Sequence, residues 1–264
     1  MENVKKFWEE RSKKYLTQPE GVLFKSFPKE INSYIHQWML SQIISKILPS
    51  KSLKVLDVGC GYGRLAQPLL KRFPKVVVYG IDVAPTSIKL FNKNLRPRGR
   101  AKVADVRKVP FKNEYFDVVF MVTTLMYLPS KNDQKKAIKE LFRVLKQNGK
   151  FIFIEREPIG YGIFTLGGIT SLLRGKKNRE IKATSFRKEY MKELITGETG
   201  VIQVQSGIPV FTFMIYPLLF LSFLNKGFLI NTLNLIKRFD ETLNKLLTFS
   251  LYIAYIGIKQ NKNN

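Results

Sequence analysis

VLDVGCGYGR, residues 55–64, joins an apolar run to a turn in which every second residue is glycine. Asp57 lies in the run, and Gly59, Gly61 and Gly63 form the turn. Glycine adopts positive φ readily and has no Cβ, so a ligand can approach the backbone of such a turn. Glycine-rich turns also serve tight packing. The residues at the ends of the other strands therefore have to show whether the turn binds a ligand or only serves packing.

Short β-branched runs alternate with helical patterns on both sides of this stretch. Apolar spacing predicts helices at 64–73, 84–95, 132–145 and 186–197. Five runs are apolar on both faces, which is typical of parallel strands, and two more follow near the end of the chain. The predicted strands are 53–59, 75–82, 101–106, 116–123, 149–157, 201–206 and 249–259. The pattern predicts a doubly wound α/β sheet that binds its ligand beyond the carboxyl ends of the strands.

Acidic side chains end the first three of these strands. Asp82 ends the second strand, 19 residues after Gly63, where a carboxylate can accept both hydroxyls of a ribose. The third strand ends in Asp105 and Val106, where an adenine ring would lie. Three acids that converge on one crevice are more specific than the glycines alone.

At these residues the chain resembles the class I S-adenosylmethionine-dependent methyltransferases. VLDVGCGYGR, YGIDVAPTSI, ADVRKVPF and FDVVFMVTTLMYLP are similar to the first four motifs of that family, and LFRVLKQNGKFIFIERE is similar to the helix and fifth strand that follow. The resemblance covers residues 1–157 and, loosely, the last strand. It implies a seven-stranded, mostly parallel Rossmann-like sheet with S-adenosylmethionine as cofactor and S-adenosylhomocysteine as product. We expect a C-terminal apolar insertion that is mostly helical.

The resemblance also implies which residues bind the cofactor. The aspartate and glycines of the turn hold its methionine and sulfonium part. Asp82 binds the ribose, Val83 packs beside the adenine, and an N-terminal lid helix carries Tyr15 over the cofactor. The full set is Tyr15, Asp57, Gly59, Gly61, Gly63, Asp82, Val83, Asp105, Val106 and Met121. A nicotinamide dehydrogenase would use the same crevice, but it fits G-x-G-x-G less well.

Two side chains are catalytic candidates, although methyl transfer needs alignment and exclusion of water more than an essential base. Tyr127 follows the fourth strand, where a polar group would face the acceptor, and packing is its alternative role. Glu155 lies at the end of the fifth strand with Glu157. One of the two would accept a proton; a solvated rim or a salt bridge with Arg156 is the alternative. The lone His36 falls in an apolar helical pattern and is interpreted as structural.

Composition limits the remaining classes of function. A single Cys60 excludes a disulfide within the chain, and with one histidine no metal site is predicted. The net charge of +25 favours an anionic partner: nucleic acid, a membrane surface or a phosphorylated substrate. A general lysine bias that serves solubility is the alternative. The charged, amphipathic N-terminus lacks a signal core, so a cytoplasmic protein is expected.

Residues 158–264 contain more chain than the last two strands of the sheet and their connections need. We divide the chain into lid helices at 1–50, a cofactor-binding core at 51–157 and an acceptor-side half at 158–264, with an apolar insertion at 207–248. Its run 208–224 is 17 residues long and contains Pro217, so it falls short of the roughly 20 residues that span a bilayer.

We interpret the run as a lid or a contact with the inner face of a membrane. Pro209 and Pro217 are expected to break any long helix, with Phe211, Phe213 and Phe220 available to lipid.

The predicted acceptor is a small molecule that is apolar or lipid-linked. Two alternatives remain open. The chain is an RNA methyltransferase that uses its positive charge, or it is a relative that binds the cofactor without turnover. Salt-dependent RNA binding would indicate the first, and tight cofactor binding without methylation of any acceptor would indicate the second.

Overall fold

A central sheet organises the computed structural model of the chain, which describes residues 2–18, 23–24, 27–47, 52–165, 183–198, 200–247 and 249–260. Its strands are β1 Leu53–Val58, β2 Val76–Asp82, β3 Gly99–Val103, β4 Phe116–Val122, β5 Leu145–Arg156, β6 Gly200–Gly207 and β7 Tyr252–Lys259. Their order across the sheet is β3-β2-β1-β4-β5-β7-β6.

Helices connect the strands and cover both faces of the sheet. They are α1 Glu2–Tyr15, α2 Lys29–Ile44, α3 Ala66–Arg72, α4 Pro85–Leu95, α5 Lys131–Val144, α6 Pro158–Thr165, α7 Lys188–Thr196, α8 Pro209–Leu224 and α9 Lys226–Leu243. A single 3₁₀ turn, Leu125–Tyr127, follows β4.

The predicted α/β architecture, a doubly wound and mostly parallel seven-stranded sheet, is confirmed. β1 to β5 pair in parallel, whereas β7 is antiparallel to both β5 and β6. β3 begins two residues before its predicted start and ends at Val103. β5 begins at Leu145, because this residue pairs with Phe116 before the register resumes at Val118 and Lys150.

The two apolar faces of the strands separate into two cores. On β5, Ile152 and Ile154 face one core, whereas Phe151 and Phe153 face the other. α2, α3, α4, α8 and α9 cover the first core, and α5 and α7 cover the second. Side chains alternate along a strand, so burial of both faces explains the continuous apolar runs in the sequence.

The strand order reverses between β1 and β4, which makes this point the switch of the doubly wound sheet. From β1 the chain crosses through α3 to β2 and through α4 to β3 on one side. The loops after β1 and β4 therefore diverge and leave a crevice beyond their carboxyl ends.

α8 and α9 lie between β6 and β7. The expectation that Pro209 and Pro217 break any long helix here is wrong for α8, which runs over 16 residues. Pro209 begins the helix, where its missing N–H would have no partner, and Pro217 forfeits one internal bond. Among the helices of the described residues, none has the length and apolar character needed to cross a bilayer.

Residues 158–185, after β5, are glycine-rich and half apolar, a pattern that predicts a loop beside the site. Their first eight residues form α6 instead, and residues 166–182 of this predicted loop lie outside the described residues.

Candidate functional site

A cavity lies beyond the carboxyl ends of β1, β2 and β4, and α1 covers it. It is lined by eight of the residues that the sequence predicts for the site: Tyr15, Asp57, Gly59, Gly61, Asp82, Val83, Val106 and Tyr127. Gly63, Asp105, Met121 and Glu155 do not line it. The crevice predicted at the switch of the sheet therefore exists and gathers residues from five separate segments.

The glycines of the turn serve different purposes. All three have positive φ: +71° at Gly59, +52° at Gly61 and +91° at Gly63. A Cβ on Gly61 would meet no atom within 4 Å, so this position leaves open space for a ligand. A Cβ on Gly59 would collide with Thr124, and one on Gly63 with Leu95. Gly63 is thus required by packing, and Gly61 is the glycine that a ligand can approach.

Asp57 lines this cavity and has an unsatisfied carboxylate oxygen. Its side chain is buried, and Oδ2 accepts no hydrogen bond. Burial raises the pKa of Asp57 well above its usual value; the charge of Arg64 opposes this effect, and that of Asp82 adds to it. A buried oxygen without a partner is costly, and a cationic donor such as an ammonium group would satisfy it.

Asp82 holds the turn while it faces the cavity. Its Oδ2 accepts a hydrogen bond from Gly61 N at 2.9 Å, and its Oδ1 accepts one from Ala84 N at 2.9 Å. Burial raises the pKa of the Asp82 carboxyl, against the lowering effect of these N–H groups. Each carboxylate oxygen accepts more than one bond, so Asp82 retains capacity for two hydroxyls.

α1 is docked on the N-terminus of α4. The Glu9 carboxylate accepts hydrogen bonds from Thr86 N at 3.0 Å and Thr86 Oγ1 at 2.6 Å. Ser12 Oγ and Ser87 Oγ are 2.6 Å apart. An acidic side chain is favoured at the first turn of a helix, where N–H groups are free. These contacts hold the predicted lid over the cavity.

The lid also carries Trp8, which the sequence analysis missed. Its ring meets Tyr127 edge to face, with centroids 5.2 Å apart, and both side chains line the cavity. Ser87 and Arg64 line it as well and were also missed. The signals were the tryptophan in the lid motif, the arginine directly after the third glycine, and the serine in the first turn of α4.

Besides Gly63, two predicted cofactor residues, Asp105 and Met121, lie outside the cavity wall. The Arg107 guanidinium pairs with Asp105 and Asp133 at 2.7 Å each, and its hydrogen bonds lower the pKa of Asp105 against the opposing effect of burial. Met121 is fully buried in the core of β4. Their roles toward the cofactor stay predictions, and Asp105 would have to exchange a contact with Arg107 to meet a ligand.

The acidic pair at the end of β5 is buried, so the expectation of a solvated rim is wrong. Glu155 Oε1 accepts hydrogen bonds from Thr124 N at 3.0 Å and Leu125 N at 2.8 Å, and Oε2 has no partner. Burial raises the pKa of Glu155 to about 8. Glu157 accepts a hydrogen bond from Gly160 N at 2.8 Å. Both carboxylates are therefore engaged with backbone rather than with solvent.

Arg156, between these two carboxylates, packs its guanidinium over the Tyr161 ring, 3.9 Å from the centroid. Within the described ranges no ion pair joins it to Glu155 or Glu157, so the predicted salt bridge is absent.

Comparison with known proteins places this site in a wider context. The model of a family described as "Methyltransferase domain" matches residues 56–153. A sterol 4-C-methyltransferase from Caenorhabditis elegans is 34% identical over 115 residues, which are 42% of this chain and 33% of the relative. A demethylmenaquinone methyltransferase from Thermus thermophilus is 34% identical over 116 residues, which are 43% of this chain and 51% of the relative.

A solved structure extends the fold comparison to nearly the whole chain. Magnesium protoporphyrin IX methyltransferase from Synechocystis PCC 6803, with bound SAH, has a TM-score of 0.63 and 14% identity over 97% of this chain and 98% of that one. At this identity the likeness concerns the fold alone. This chain spans a third to about half of the two curated relatives. The family model matches residues 56–153, which contribute most of the cavity wall.

Proposed function

We propose, from the premise that this chain carries a class I S-adenosylmethionine-dependent methyltransferase domain, that it methylates an apolar small molecule at a membrane surface. The observation that carries the proposal is the unpartnered Oδ2 of the buried Asp57, in the wall of the same cavity in which Gly61 leaves open space. A ligand with a cationic amine that lies along the turn would donate a hydrogen bond to the Asp57 carboxylate and fill the open space at Gly61. The methionine part of the cofactor has this chemistry.

The remaining wall residues fit the rest of the cofactor. Asp82 has the capacity to accept the ribose hydroxyls, and Ile81, Val83 and Val106 offer an apolar slot for the adenine. When bound, S-adenosylmethionine supplies a methyl group on a sulfonium, which a nucleophile displaces in line. The residues of the chain bind and align the two molecules and keep water out.

At the acceptor end, Tyr127 and Trp8 form the wall between the cavity and α1. We assign Tyr127 to contact with the acceptor. Glu155 acts through the backbone instead, because its hydrogen bonds to Thr124 and Leu125 fix the 3₁₀ turn that presents Tyr127. Glu155 is therefore proposed as a positioning residue rather than as the base.

An apolar acceptor is supported by the surface of α8 and α9. Phe213 and Phe220 are 67% and 66% exposed on one side of α8, and Phe228 and Phe239 are exposed on one side of α9. Lys237 and Arg238 are exposed on α9. Aromatic side chains beside basic ones are typical of a peripheral contact with anionic lipid. We name Phe213, Phe220, Phe228 and Phe239 the aromatic surface.

Phe211, which the sequence places among the side chains available to lipid, does not belong to this surface, and neither does Lys226. Phe211 is fully buried and stacks on Tyr34, with ring centroids 4.7 Å apart. Lys226 pairs with Glu30 at 3.1 Å. The named relatives support the same acceptor class, since a sterol and demethylmenaquinone are largely hydrocarbon.

The activity is tested with S-adenosylmethionine labelled in the methyl group and a cell extract divided into lipid, small-molecule, RNA and protein fractions. We expect label in the lipid fraction with the wild type and none with Gly61→Val. Label in RNA instead would support the alternative that the net charge of +25 favours. Binding of S-adenosylhomocysteine without label in any fraction would identify a relative without turnover.

The membrane contact is tested by sedimentation with anionic and neutral liposomes. Burial of a few phenylalanines at about 1.5–3 kcal/mol each would exceed the cost of immobilisation and give binding to anionic liposomes. Replacement of Phe213 and Phe220 by serine should weaken sedimentation, whereas Val201→Ser, at an exposed position of β6, should not. A wild-type protein that remains in the supernatant with both liposome types contradicts the proposal.

A further inference from the structure

A second cavity lies beside the cofactor turn, between α2 and α3. Side chains that donate hydrogen bonds or carry positive charge form much of its wall, and we name it the basic cavity: Lys29, Ser33, His36, Arg64, Gln67 and Lys71. Lys29 and Ser33 are exposed on α2, and Lys71 is exposed on α3, so the cavity is open to solvent at this side.

Positive charge predominates in the described wall of this cavity. Within the described part of the chain no aspartate or glutamate lines the basic cavity. Arg64 Nη1 lies 2.5 Å from His36 Nδ1, and Arg64 Nη2 contacts Met39 Sδ at 3.9 Å. Neither partner is anionic, and within the described residues Arg64 forms no ion pair at 4 Å or less. The nearest acids act on this wall from outside it: Asp57 acts on Arg64 from the cofactor cavity, and Glu30 acts on Lys29. Three cations that line one cavity, with no acid among its described lining residues, favour an anionic ligand.

The basic cavity adjoins the cofactor cavity, because Tyr62 and Arg64 line both. We propose that the basic cavity binds a carboxylate or phosphate group of the methyl acceptor, so that the acceptor is an amphiphile with an apolar body and an anionic group. This inference rests on the proposed function and specifies its substrate class. It also gives the positive charge of this region a role in catalysis rather than in solubility alone.

The methionine carboxylate of the cofactor is the competing anion, since Arg64 also faces the cofactor cavity. Lys29 and Lys71 separate the two cases. They line the basic cavity and not the cofactor cavity, and they lie on two different helices. A ligand that depends on both lysines while the cofactor cavity is filled occupies a separate site.

His36 provides the measurement. It is the only histidine of the chain, so ¹³C-histidine labelling gives one imidazole signal in an NMR spectrum. Burial, followed by the charge of Arg64, lowers the pKa of His36 to about 4. An anion in the basic cavity favours the imidazolium, so it should raise this pKa and shift the signal.

The experiment titrates the protein, saturated with S-adenosylhomocysteine, with inorganic pyrophosphate in one series and octanoate in another, at constant ionic strength. We expect a saturable shift of the His36 signal. Lys29→Met and Lys71→Met should each weaken binding roughly five- to tenfold, because each removes one charge-assisted contact. Lys135→Met, at an exposed position of α5, is the matched control and should leave the affinity unchanged. Tighter binding of pyrophosphate assigns a phosphate group, and tighter binding of octanoate assigns a carboxylate.

Three results overturn the inference: no saturable shift with either probe, equal weakening by Lys135→Met, or loss of the shift on saturation with S-adenosylhomocysteine. The last result would place the anion at the methionine carboxylate. Calorimetry with S-adenosylhomocysteine alone keeps the proposed function separate, because binding of the cofactor product without binding of either probe rejects only the anionic acceptor.

Discussion

Two buried aspartates occupy opposite situations in this molecule. Asp57, at the end of β1, and Asp240, in α9, are each only 3% exposed. Asp240 Oδ1 accepts a hydrogen bond from Val210 N at 2.7 Å, and its Oδ2 accepts one from Tyr34 Oη at 2.7 Å. Asp57 Oδ2 has no partner. A buried carboxylate whose oxygens are all satisfied holds elements together, whereas one that lines a cavity and keeps an unsatisfied oxygen can accept a hydrogen bond from a ligand.

The pKa values of both carboxyls are shifted in the same direction. Burial raises the pKa of Asp240 to about 6, against its hydrogen bonds with Tyr34 and the backbone, and it raises the pKa of Asp57 well above its usual value. Between the ordinary value of 3.8 and about 6, the folded protein binds more protons at Asp240 than the unfolded chain does. The contribution of this group to stability therefore falls as pH rises through that window. For Asp240 the hydrogen bonds offset part of the cost; for Asp57 a ligand has to do so.

The largest expected effect is on the ligand side of this comparison. Gly61→Val should abolish binding of S-adenosylhomocysteine, a loss of at least ~100-fold, because a β-branched side chain would occupy the open space and resist a φ of +52°. Isothermal titration measures the loss. Gly162→Val in α6 is the control, since its Cβ would also meet no atom within 4 Å. Normal binding by Gly61→Val would make the turn a packing feature.

The next effect belongs to Asp240. Asp240→Ala leaves the Tyr34 hydroxyl and the first N–H groups of α8 without their acceptor, which should cost about 3 kcal/mol. Thermal unfolding should show a Tm lower by roughly 6–12 °C, with the affinity for S-adenosylhomocysteine unchanged. Asp240→Asn keeps one acceptor oxygen, so its Tm should lie between the Tm of the wild type and that of Asp240→Ala. Loss of cofactor affinity in a variant that is still folded would contradict the division between the two aspartates.

The sequence predicts the surroundings of Asp57 better than those of Asp240. Asp57 and Asp82 were placed in one crevice because the ends of parallel strands converge and the glycine motif gives their register. Asp240 and Tyr34 are 206 residues apart, and no local pattern signals such a contact. The burial of Phe211 was missed for the same reason: an aromatic in an apolar run does not show which side of its helix faces the core.

Substitution of Asp57 sharpens the comparison. Asp57→Asn keeps the shape but removes the charge, so affinity for S-adenosylhomocysteine should fall by about 1.5–3 kcal/mol, roughly 10- to 100-fold. Stability should change by less than about 1 kcal/mol, because burial already disfavours the charged form. Titration calorimetry and thermal unfolding of the same preparation measure both. A large loss of stability with intact binding would make Asp57 a structural partner of Arg64.

The smallest effect concerns Glu9, a lid carboxylate satisfied by a different element of the fold. Burial acts to raise the pKa of Glu9, but the hydrogen bonds from Thr86 and the nearby Lys13 outweigh it and lower that pKa below 4.5. Because the folded pKa is depressed, the stabilisation of the docked lid is present above the unfolded value and is lost as pH falls through the folded one. Glu9→Gln keeps an acceptor for Thr86 and removes only the charge at the N-terminus of α4, so it should loosen the lid by about 0.3–1 kcal/mol.

Hydrogen exchange of residues 2–15 should show about two- to fivefold faster opening at neutral pH, with a flatter pH dependence between pH 3 and 5 than in the wild type. Glu10→Gln changes the next, exposed carboxylate of α1 and should leave the rate of lid opening and its pH dependence unchanged. If both variants exchange like the wild type, the lid is held by Ser12, Ser87 and the Trp8–Tyr127 contact, and the charge of Glu9 has no part in closing the cavity.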